Sequence, residues 1–407
     1  MKFLEKQFST IASDKYEPQS LKDLRSSAFN RFKEIGFPKK SWEAWRFTAV
    51  ENVEKNSFRL SNEADLPEDL FKSEDSLSIP TLLFLNGHYQ PDESNIPAGI
   101  KVNTLVDSYN EDAKLFNNGY DAGTNPFVIL NTAMMNSGFH IRISENTESY
   151  PPIRFLYLTT KLSEPIMNHP RLVVDVADNT QATIVEEYRG IGPTSYWNNA
   201  LTMIRAGNNS YLHHVRIQNE APAASHLSTT FYQIPTDGSI HGSYISLGST
   251  LHRHDVNAIL SEEGADVTIN GLCLSKDSQH VDHNIIMDHS SEHVTSRMLF
   301  KYILADKSTG VFNGRAIVRQ DAQKIDSNQT NNNLLLGKNA LMNSNPELEI
   351  YADDGRCTHG STTGQISEDA LFYLRSRGLD AVSAKALPVS YTHLRAHETR
   401  HDLVCRL

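Results

Sequence analysis

Two side chains suited to metal or sulfur chemistry stand two residues apart in the C-terminal part of the chain, Cys357 and His359. They belong to the segment EIYADDGRCTHG, residues 349–360. If this segment is extended, alternate side chains face the same way, so the thiol and the imidazole project from one face of one strand. Such a pair suits zinc, iron or an iron-sulfur species. An isolated C-x-H is more often a buried cysteine beside a hydrogen-bonded histidine, so the rest of the chain must decide.

Histidines also crowd the middle of the chain, and their spacing raises the question of a second metal site. None of them lies in the H-E-x-x-H pattern of a zinc-binding helix. We therefore predict surface or core-capping histidines rather than ligands. The residues concerned are His241, His252, His254, His280, His283, His289 and His293.

Composition excludes several classes of function. The 407 residues, 39% of them hydrophobic, are enough for a sizeable core. A net charge of -11 argues against nucleic-acid binding, which needs clustered Lys and Arg. The three cysteines, Cys273, Cys357 and Cys405, do not suggest a disulfide framework. Together with a charged N-terminal segment and no apolar run of membrane length, this predicts a cytoplasmic protein.

The first 124 residues predict a helical or mixed N-terminal region. Apolar residues recur at helical spacing in residues 21–35, and Gly36 ends that helix. Trp42, Trp45 and Phe47 follow as aromatic anchors onto the body of the protein. Residues 81–89, TLLFLNGHY, predict a strand that ends in an Asn-Gly turn.

Residues 125–364 predict a β-rich core. Short runs of apolar and β-branched residues alternate with turn signals such as Asp178-Asn179 and Asp237-Gly238. This pattern fits a sandwich, a barrel or a β-helix, and periodicity does not choose among them. The amide-rich stretch 323–333 fits hydrogen-bonded amides on stacked coils, or a polar loop.

Residues 365–387 predict a C-terminal helical region. Ser367 is the expected cap, acidic residues occupy the first turn and Gly378 ends the helix. Asp380 is placed to cap a second helix, which Pro388 interrupts.

Segments spread along nearly the whole chain, up to about Leu387, resemble the SufB/SufD family of the SUF iron-sulfur cluster assembly scaffold. The segments are SWEAWRFT (41–48), FVILNTAMMNSGFHIRI (127–143), HVDHNIIMDHSSEHVTSR (280–297), VFNGRAIV (311–318), TNNNLLLGKNA (330–340) and FYLRSRGL (372–379). Within the family the chain looks like the SufD branch. The SufB branch usually carries a cysteine directly after the Phe-Tyr pair, where this chain has Leu374.

This resemblance implies a fold that is mainly β, a right-handed parallel β-helix core between helical N-terminal and C-terminal regions. It also implies a non-catalytic scaffold subunit that pairs with SufB through the ends of the two β-helices. The ATPase SufC would bind the C-terminal helices, at the segment Phe372, Tyr373, Leu374, Arg375, Arg377 and Gly378. The family's cluster-site histidine corresponds to His359, with Cys357 beside it, holding a transient cluster or iron at the partner interface. The resemblance does not decide whether the chain binds a flavin.

Two alternatives accompany this interpretation. A β-helix carbohydrate-active enzyme or a metal-binding β protein would share the fold, but the chain has no G-x-S-x-G, Walker A or G-x-G-x-x-G motif. Residues 388–407 depart abruptly from the family and are interpreted as a non-native tail, which sets aside Cys405. His393, His397 and His401 in that tail follow helical spacing, but we do not expect a metal face there.

Overall fold

The computed structural model describes residues 2–13, 17–61, 79–91, 94, 96, 99–111, 125–145, 151–160, 164–192, 195–365, 368–380 and 383–384. The helices in these ranges are α1 (Lys2–Ala12), α2 (Gln19–Ile35), α3 (Glu51–Lys55), α4 (Leu105–Glu111), α5 (Pro126–Met134) and α6 (Glu368–Ser376), with a 3-10 turn at Glu43–Trp45. The tail 388–407, with its three histidines, and the predicted cap Ser367 lie outside the described residues. None of the helices in the described ranges has the length and apolar content needed to span a bilayer.

Strands dominate the described chain and form two sheets. In chain order they are β1 (Arg59–Leu60), β2 (Thr81–Leu85), β3 (His88–Tyr89), β4 (Ile100–Thr104), β5 (Ser137–Ile143), β6 (Ile153–Thr159), β7 (Ile166–Asn168), β8 (Pro170–Val176), β9 (Gln181–Gly190), β10 (Tyr196–Arg205), β11 (Tyr211–Asn219), β12 (Ser225–Ile234), β13 (Ser239–Ser246), β14 (Leu251–Leu260), β15 (Asp266–Ser275), β16 (His280–His289), β17 (Thr295–Leu304), β18 (Thr309–Val318), β19 (Ile325–Leu335), β20 (Leu341–Ile350) and β21 (Gly355–Gln365).

From β8 onward the chain alternates between the two sheets. The first sheet runs β20-β18-β16-β14-β12-β10-β8-β5-β4 and the second β21-β19-β17-β15-β13-β11-β9-β6-β2-β3. Each strand from β8 to β19 pairs in parallel with the strand two places later, which makes a solenoid of about seven turns. The predicted parallel β-helix is therefore confirmed.

The corners of the solenoid depend on residues that tolerate the left-handed backbone conformation, with positive φ. Asn, Asp and Gly adopt positive φ most readily, which is why turn signals punctuate the strand runs in the sequence. At one corner, the Asn209 side-chain amide donates to Asn179 Oδ1 of the preceding turn at 2.9 Å. Corner residues with φ between 52° and 55° are Asn179, Asn209, Asp237, Asp277 and Asp306.

Alternation along each strand separates a lumen face from an outer face. In β13 and β17 every second residue is buried, while the outward residues are half-buried. In β10 and β12 nearly every residue is buried, because helices of the N-terminal region cover the outer face of the first sheet there. Outward-facing Trp197, for example, lies in one apolar cluster with Phe127 and Leu130 of α5.

The aromatic segment after α2 anchors the N-terminal region to this sheet, as predicted. Trp45 is buried, and the Arg253 guanidinium of β14 stacks 3.8 Å from its ring centroid. Arg253 also donates to the Ala44 carbonyl at 2.7 Å. Trp42 packs half-buried against the same cluster, and Phe47 lines a groove of about 210 Å³.

Strands from the N-terminal region also extend both sheets. β2 pairs with β6 in the second sheet and β4 pairs with β5 in the first. The predicted strand and turn at residues 81–89 are confirmed: Asn86 and Gly87 have φ of 49° and 84° and connect β2 to antiparallel β3. The predicted helix over residues 21–35 is α2, and Gly36 follows it with φ of 73°.

Candidate functional site

The C-terminal end of the β-helix is open. Among the described strands, β20 and β21 each pair on one side only, with β18 and β19. Their other edges, 10 and 11 residues long, carry main-chain groups with no strand beside them in the described chain. Leu341 and Tyr351, each 60% exposed, lie at this end. Long open edges with exposed apolar side chains are typical of a surface that another chain covers.

Pro346 in β20 is consistent with an edge strand. The N–H groups of Leu341 and Tyr351 donate to Ser308 and Val318 of the preceding turn, so odd-numbered residues of β20 turn their main chain inward to the sheet. Even-numbered Pro346 therefore places its nitrogen, which has no hydrogen, on the open edge. Proline is tolerated in a strand at such a position.

Cys357 and His359 lie on β21 and face the lumen of this last turn. They are in register with Ser327 and Gln329 of β19, whose side chains are buried inside the solenoid. The two side chains thus share one face, as the extended pattern predicted. Cys357 is half-buried and His359 is exposed, because no further turn lies above them in the described chain.

The surroundings of Cys357 disfavour the thiolate form. Burial, and then the nearby negative charge of Asp326, raise the pKa of Cys357 above its ordinary value. A thiol with a raised pKa binds metal only when the metal displaces its proton. Cys357 would therefore act as a ligand only when a metal cation displaces the proton of its thiol.

Amides and hydroxyls form a polar floor beneath the pair. Ser344 of β20 donates to Asn331 Oδ1 at 2.7 Å, and its hydroxyl lies 2.8 Å from that of Ser361 on the opposite sheet. Gln329 reaches across the lumen and donates to the Glu347 carbonyl at 3.1 Å. The lumen is thus polar at its open end, whereas the layer directly below contains the apolar side chains of Phe300 and Phe312.

The amide-rich stretch 323–333 therefore forms a strand, not a loop. Its inward residues supply the polar floor, and its outward residues bond the last turn: Asn328 donates to Thr358 at 2.8 Å, and Thr362 donates to Asn332 at 2.9 Å. The prediction of hydrogen-bonded amides on stacked coils is confirmed.

Helix α6 follows the open end and presents an aromatic surface. Phe372 and Tyr373 are 72% and 57% exposed. The Arg377 guanidinium lies 5.1 Å from the Tyr373 ring centroid and donates to its hydroxyl oxygen at 2.8 Å. Gly378, with φ of 95°, follows the helix as predicted. Large exposed aromatic side chains on a short helix suit contact with another protein.

The central histidines lie mostly inside the solenoid, which corrects the surface prediction for four of them. His254 bonds Thr230 at 2.9 Å, and His283 lies 2.6 Å from the Tyr302 hydroxyl and 3.1 Å from that of Ser246. Burial, then the charge of Arg216, lowers the pKa of His283 to about 3. The buried four are His252, His254, His283 and His289.

Sequence reasoning also missed an ionic network in the lumen. Buried Glu186 accepts from the His214 ring at 2.8 Å, and burial opposed by that bond leaves the pKa of Glu186 lowered to about 2. His226 and Glu220 form a second buried pair at 2.7 Å. The signal was available in the sequence, because these residues occupy the same alternate positions as the apolar lumen residues of their strands. Among the described residues, no group of three or more potential ligands could hold a metal ion.

Ser108, His140 and Asp175 form a chain of side chains similar in composition to a hydrolase triad. His140 Nδ1 lies 3.1 Å from Ser108 Oγ, and its Nε2 lies 2.7 Å from Asp175 Oδ2. Ser108 belongs to α4 and is fully buried on the side of that helix that packs against the first sheet. This chain fixes α4 to the first sheet.

Comparison with known proteins gives matches along most of the chain. The family model "SUF system FeS cluster assembly, SufBD core domain" matches residues 157–390, and "SufBD protein N-terminal region" matches residues 3–155. The Escherichia coli iron-sulfur cluster assembly protein SufD is 28% identical over 86% of this chain and 82% of its own length. A SufBD family protein of Synechocystis is 31% identical over 91% of this chain and 85% of its own length. The chloroplastic protein ABCI7 of Arabidopsis thaliana is 26% identical over 91% of this chain and 80% of its own length.

Proposed function

We propose a scaffold function from one premise: the chain belongs to the SufBD family of SUF-system proteins for iron-sulfur cluster assembly. In this proposal the chain is a SufD-type, non-catalytic subunit in the cytoplasm. It pairs with SufB, and the ATPase SufC drives the pair. The nascent cluster, or its iron, is cargo held at the interface between the two subunits.

The observation that carries this proposal is the open end of the β-helix. A second β-helix can add its own terminal strands to the edges of β20 and β21, because these edges offer main-chain donors and acceptors, with one donor missing at Pro346. Such addition would cover the exposed Leu341 and Tyr351. It would also enclose Cys357 and His359 between two chains.

Enclosure matters for the chemistry of the pair. One imidazole and one thiol provide too few ligands for a stable iron-sulfur cluster, which is usually held by four thiolates. A facing subunit could complete the set at the interface. With mixed nitrogen and sulfur ligands, the cluster would be easier to release than one held by four thiolates. Since the Cys357 pKa is raised, arrival of iron is also what would deprotonate that thiol.

Helix α6 supports the second partner assignment. This helix follows the last turn of the β-helix in sequence, and its Phe372 and Tyr373 side chains are exposed. An ATPase docked on this helix would be placed to move the open end. The chain itself is proposed to hydrolyse no ATP.

Anaerobic reconstitution of the co-expressed complex with ferrous iron and sulfide tests the site. The His359→Ala complex should assemble normally but form clusters at a yield at least several-fold below the parent. His293→Ala, which changes an exposed histidine at the corner between β16 and β17 and outside the last turn, is the matched control and should leave the yield unchanged.

Thermal melting of the same samples separates chemistry from stability. If His359 were only a structural residue, its removal would cost about 1–3 kcal/mol and lower the melting temperature without lowering cluster yield. Parent-like cluster yield from His359→Ala would leave a partner-binding module without cluster chemistry as the surviving interpretation. Failure of the chain to co-purify with SufB and SufC would contradict the scaffold proposal itself.

A further inference from the structure

A second pair of potential ligands lies on the outer face of the second sheet, well away from the open end. β11 and β13 are parallel neighbours, and His213 is directly in register with His241. Both residues face outward, since the flanking Leu212 and His214 are buried in the lumen. Both imidazoles are half-buried on this face and accessible to solvent.

Side chains from the two strands interlock across the gap between them. His213 Nε2 lies 2.9 Å from the Ser243 hydroxyl of β13. From the other direction, the Tyr211 hydroxyl of β11 lies 3.3 Å from His241 Nδ1. Each histidine therefore reaches toward the partner strand, and the order along the gap is Tyr211, His241, His213, Ser243.

This spacing suits two ligands of one metal ion. Neighbouring strands lie about 4.8 Å apart. Tetrahedral zinc with two imidazole ligands at about 2.0–2.1 Å needs ring nitrogens about 3.3 Å apart. The two strands are fixed on both sides by ladder hydrogen bonds, so binding of one ion would require rotation of the two side chains and no movement of the backbone.

The side chains directly beside the pair are uncharged. The outward residues in register on the two flanking strands are Thr183 and Thr268, and the arginine of this row, Arg297, lies one strand beyond Thr268 and pairs with Asp326.

We propose that His213 and His241 form a labile surface site for one divalent transition-metal ion of the zinc, copper or nickel class, completed by water. Imidazole suits these ions. With two protein ligands the remaining positions stay open, so the ion exchanges readily. The sequence interpretation set His241 aside for lack of an H-E-x-x-H pattern, and its pairing with His213, 28 residues away, is one that only strand register reveals.

Zinc binding to the full-length chain, measured by equilibrium dialysis at pH 7.5, tests the proposal. The measurement uses a Cys357→Ala/His359→Ala background, so that its outcome is independent of the open end. His213→Gln and His241→Gln should each remove one bound equivalent or weaken that site at least tenfold, because either change breaks the chelate. The tail histidines contribute equally to every sample and cancel in the comparison.

His293→Gln is the matched control, since it removes an exposed histidine at a corner where the next turn places Gln323 and Lys324 beside it. Copper(II) EPR should show nitrogen hyperfine structure from two imidazoles in the background protein and from fewer in either pair variant. Equal zinc stoichiometry and affinity in background and pair variants would overturn the proposal. Circular dichroism of each variant confirms that the fold is unchanged.

Discussion

Arg253 shows how a single buried residue can hold two parts of the chain together. Its guanidinium donates to Asp255 at 2.7 Å, forms an ion pair with Asp282 and covers the ring of Trp45. Thr48, from the N-terminal region, also donates to Asp282. Burial removes solvent from all these groups, so each charge depends on its partners rather than on water.

Arg253→Met should therefore cost about 3–5 kcal/mol in the free energy of unfolding, because two buried carboxylates lose their cation. Arg297→Met is the matched control: Arg297 pairs with Asp326 on the exposed face, and its loss should cost less than about 1 kcal/mol. Urea denaturation of both variants measures the difference. Similar values for the two would show that the Arg253 cluster does not hold the N-terminal region in place.

At the scale of elements, β20 combines two functions. One side of its backbone completes the first sheet, and the other side is the proposed docking edge. Neighbouring residues can therefore be used to change one side at a time, because the main-chain N–H groups of successive residues point to opposite edges of a strand.

Leu348→Pro removes an N–H from the open edge, as natural Pro346 already does, and should leave the isolated chain folded while reducing co-purification with SufB at least several-fold. Glu347→Pro removes an N–H that faces β18, and should instead destabilise the last turn. Circular dichroism and co-purification distinguish the two effects. Unimpaired SufB binding by Leu348→Pro would argue against pairing through this edge.

The secondary-structure elements that could be predicted from the sequence are those specified by residues close together in the chain. Helical spacing in residues 21–35, the Asn86-Gly87 turn and the position of Gly378 all depend on residues close together in the chain. The choice of a β-helix over a sandwich or barrel depended on family resemblance, because strand alternation is the same in all three.

The contacts among side chains in the lumen could not be predicted in the same way. His252 and His254 are separated from their contacts by whole turns of the solenoid, and His283 sits 31 residues from His252, with ring centroids 5.5 Å apart. Contacts of this kind are set by strand register. The same limit applies to His213 and His241.

At the scale of the whole molecule, the buried histidines couple stability to pH. Burial lowers the pKa of His169 and of His283 to about 3, and of His252 and His254 well below the ordinary value. Since each pKa is lower in the folded chain than in the unfolded one, the unfolded chain binds more protons between about pH 6.5 and 3. Stability is therefore greatest above pH 6.5 and is lost as the pH falls.

Between pH 7 and pH 5, each histidine with a folded pKa near 3 should remove about 2 kcal/mol from the free energy of unfolding. Buried Glu186, with its pKa lowered to about 2, adds a loss of the same sign only below about pH 4.5. Glu187, whose pKa is raised by burial, has the opposite sign and partly offsets it. Urea midpoints from pH 8 to pH 4 measure the effect, and a midpoint that stays constant down to pH 5 would contradict neutral buried histidines.

The two ends of the solenoid differ in a way that limits how many copies can join. At the first end the sheets close with β4 and β3, short strands of five and two residues that run antiparallel to their neighbours. Among the described strands, only those at the far end offer long parallel edges, so strand addition has one suitable end in this part of the chain. Head-to-tail stacking would need two compatible ends and would grow a filament, whereas end-to-end pairing consumes both open edges and stops. Growth by strand addition therefore terminates at a pair.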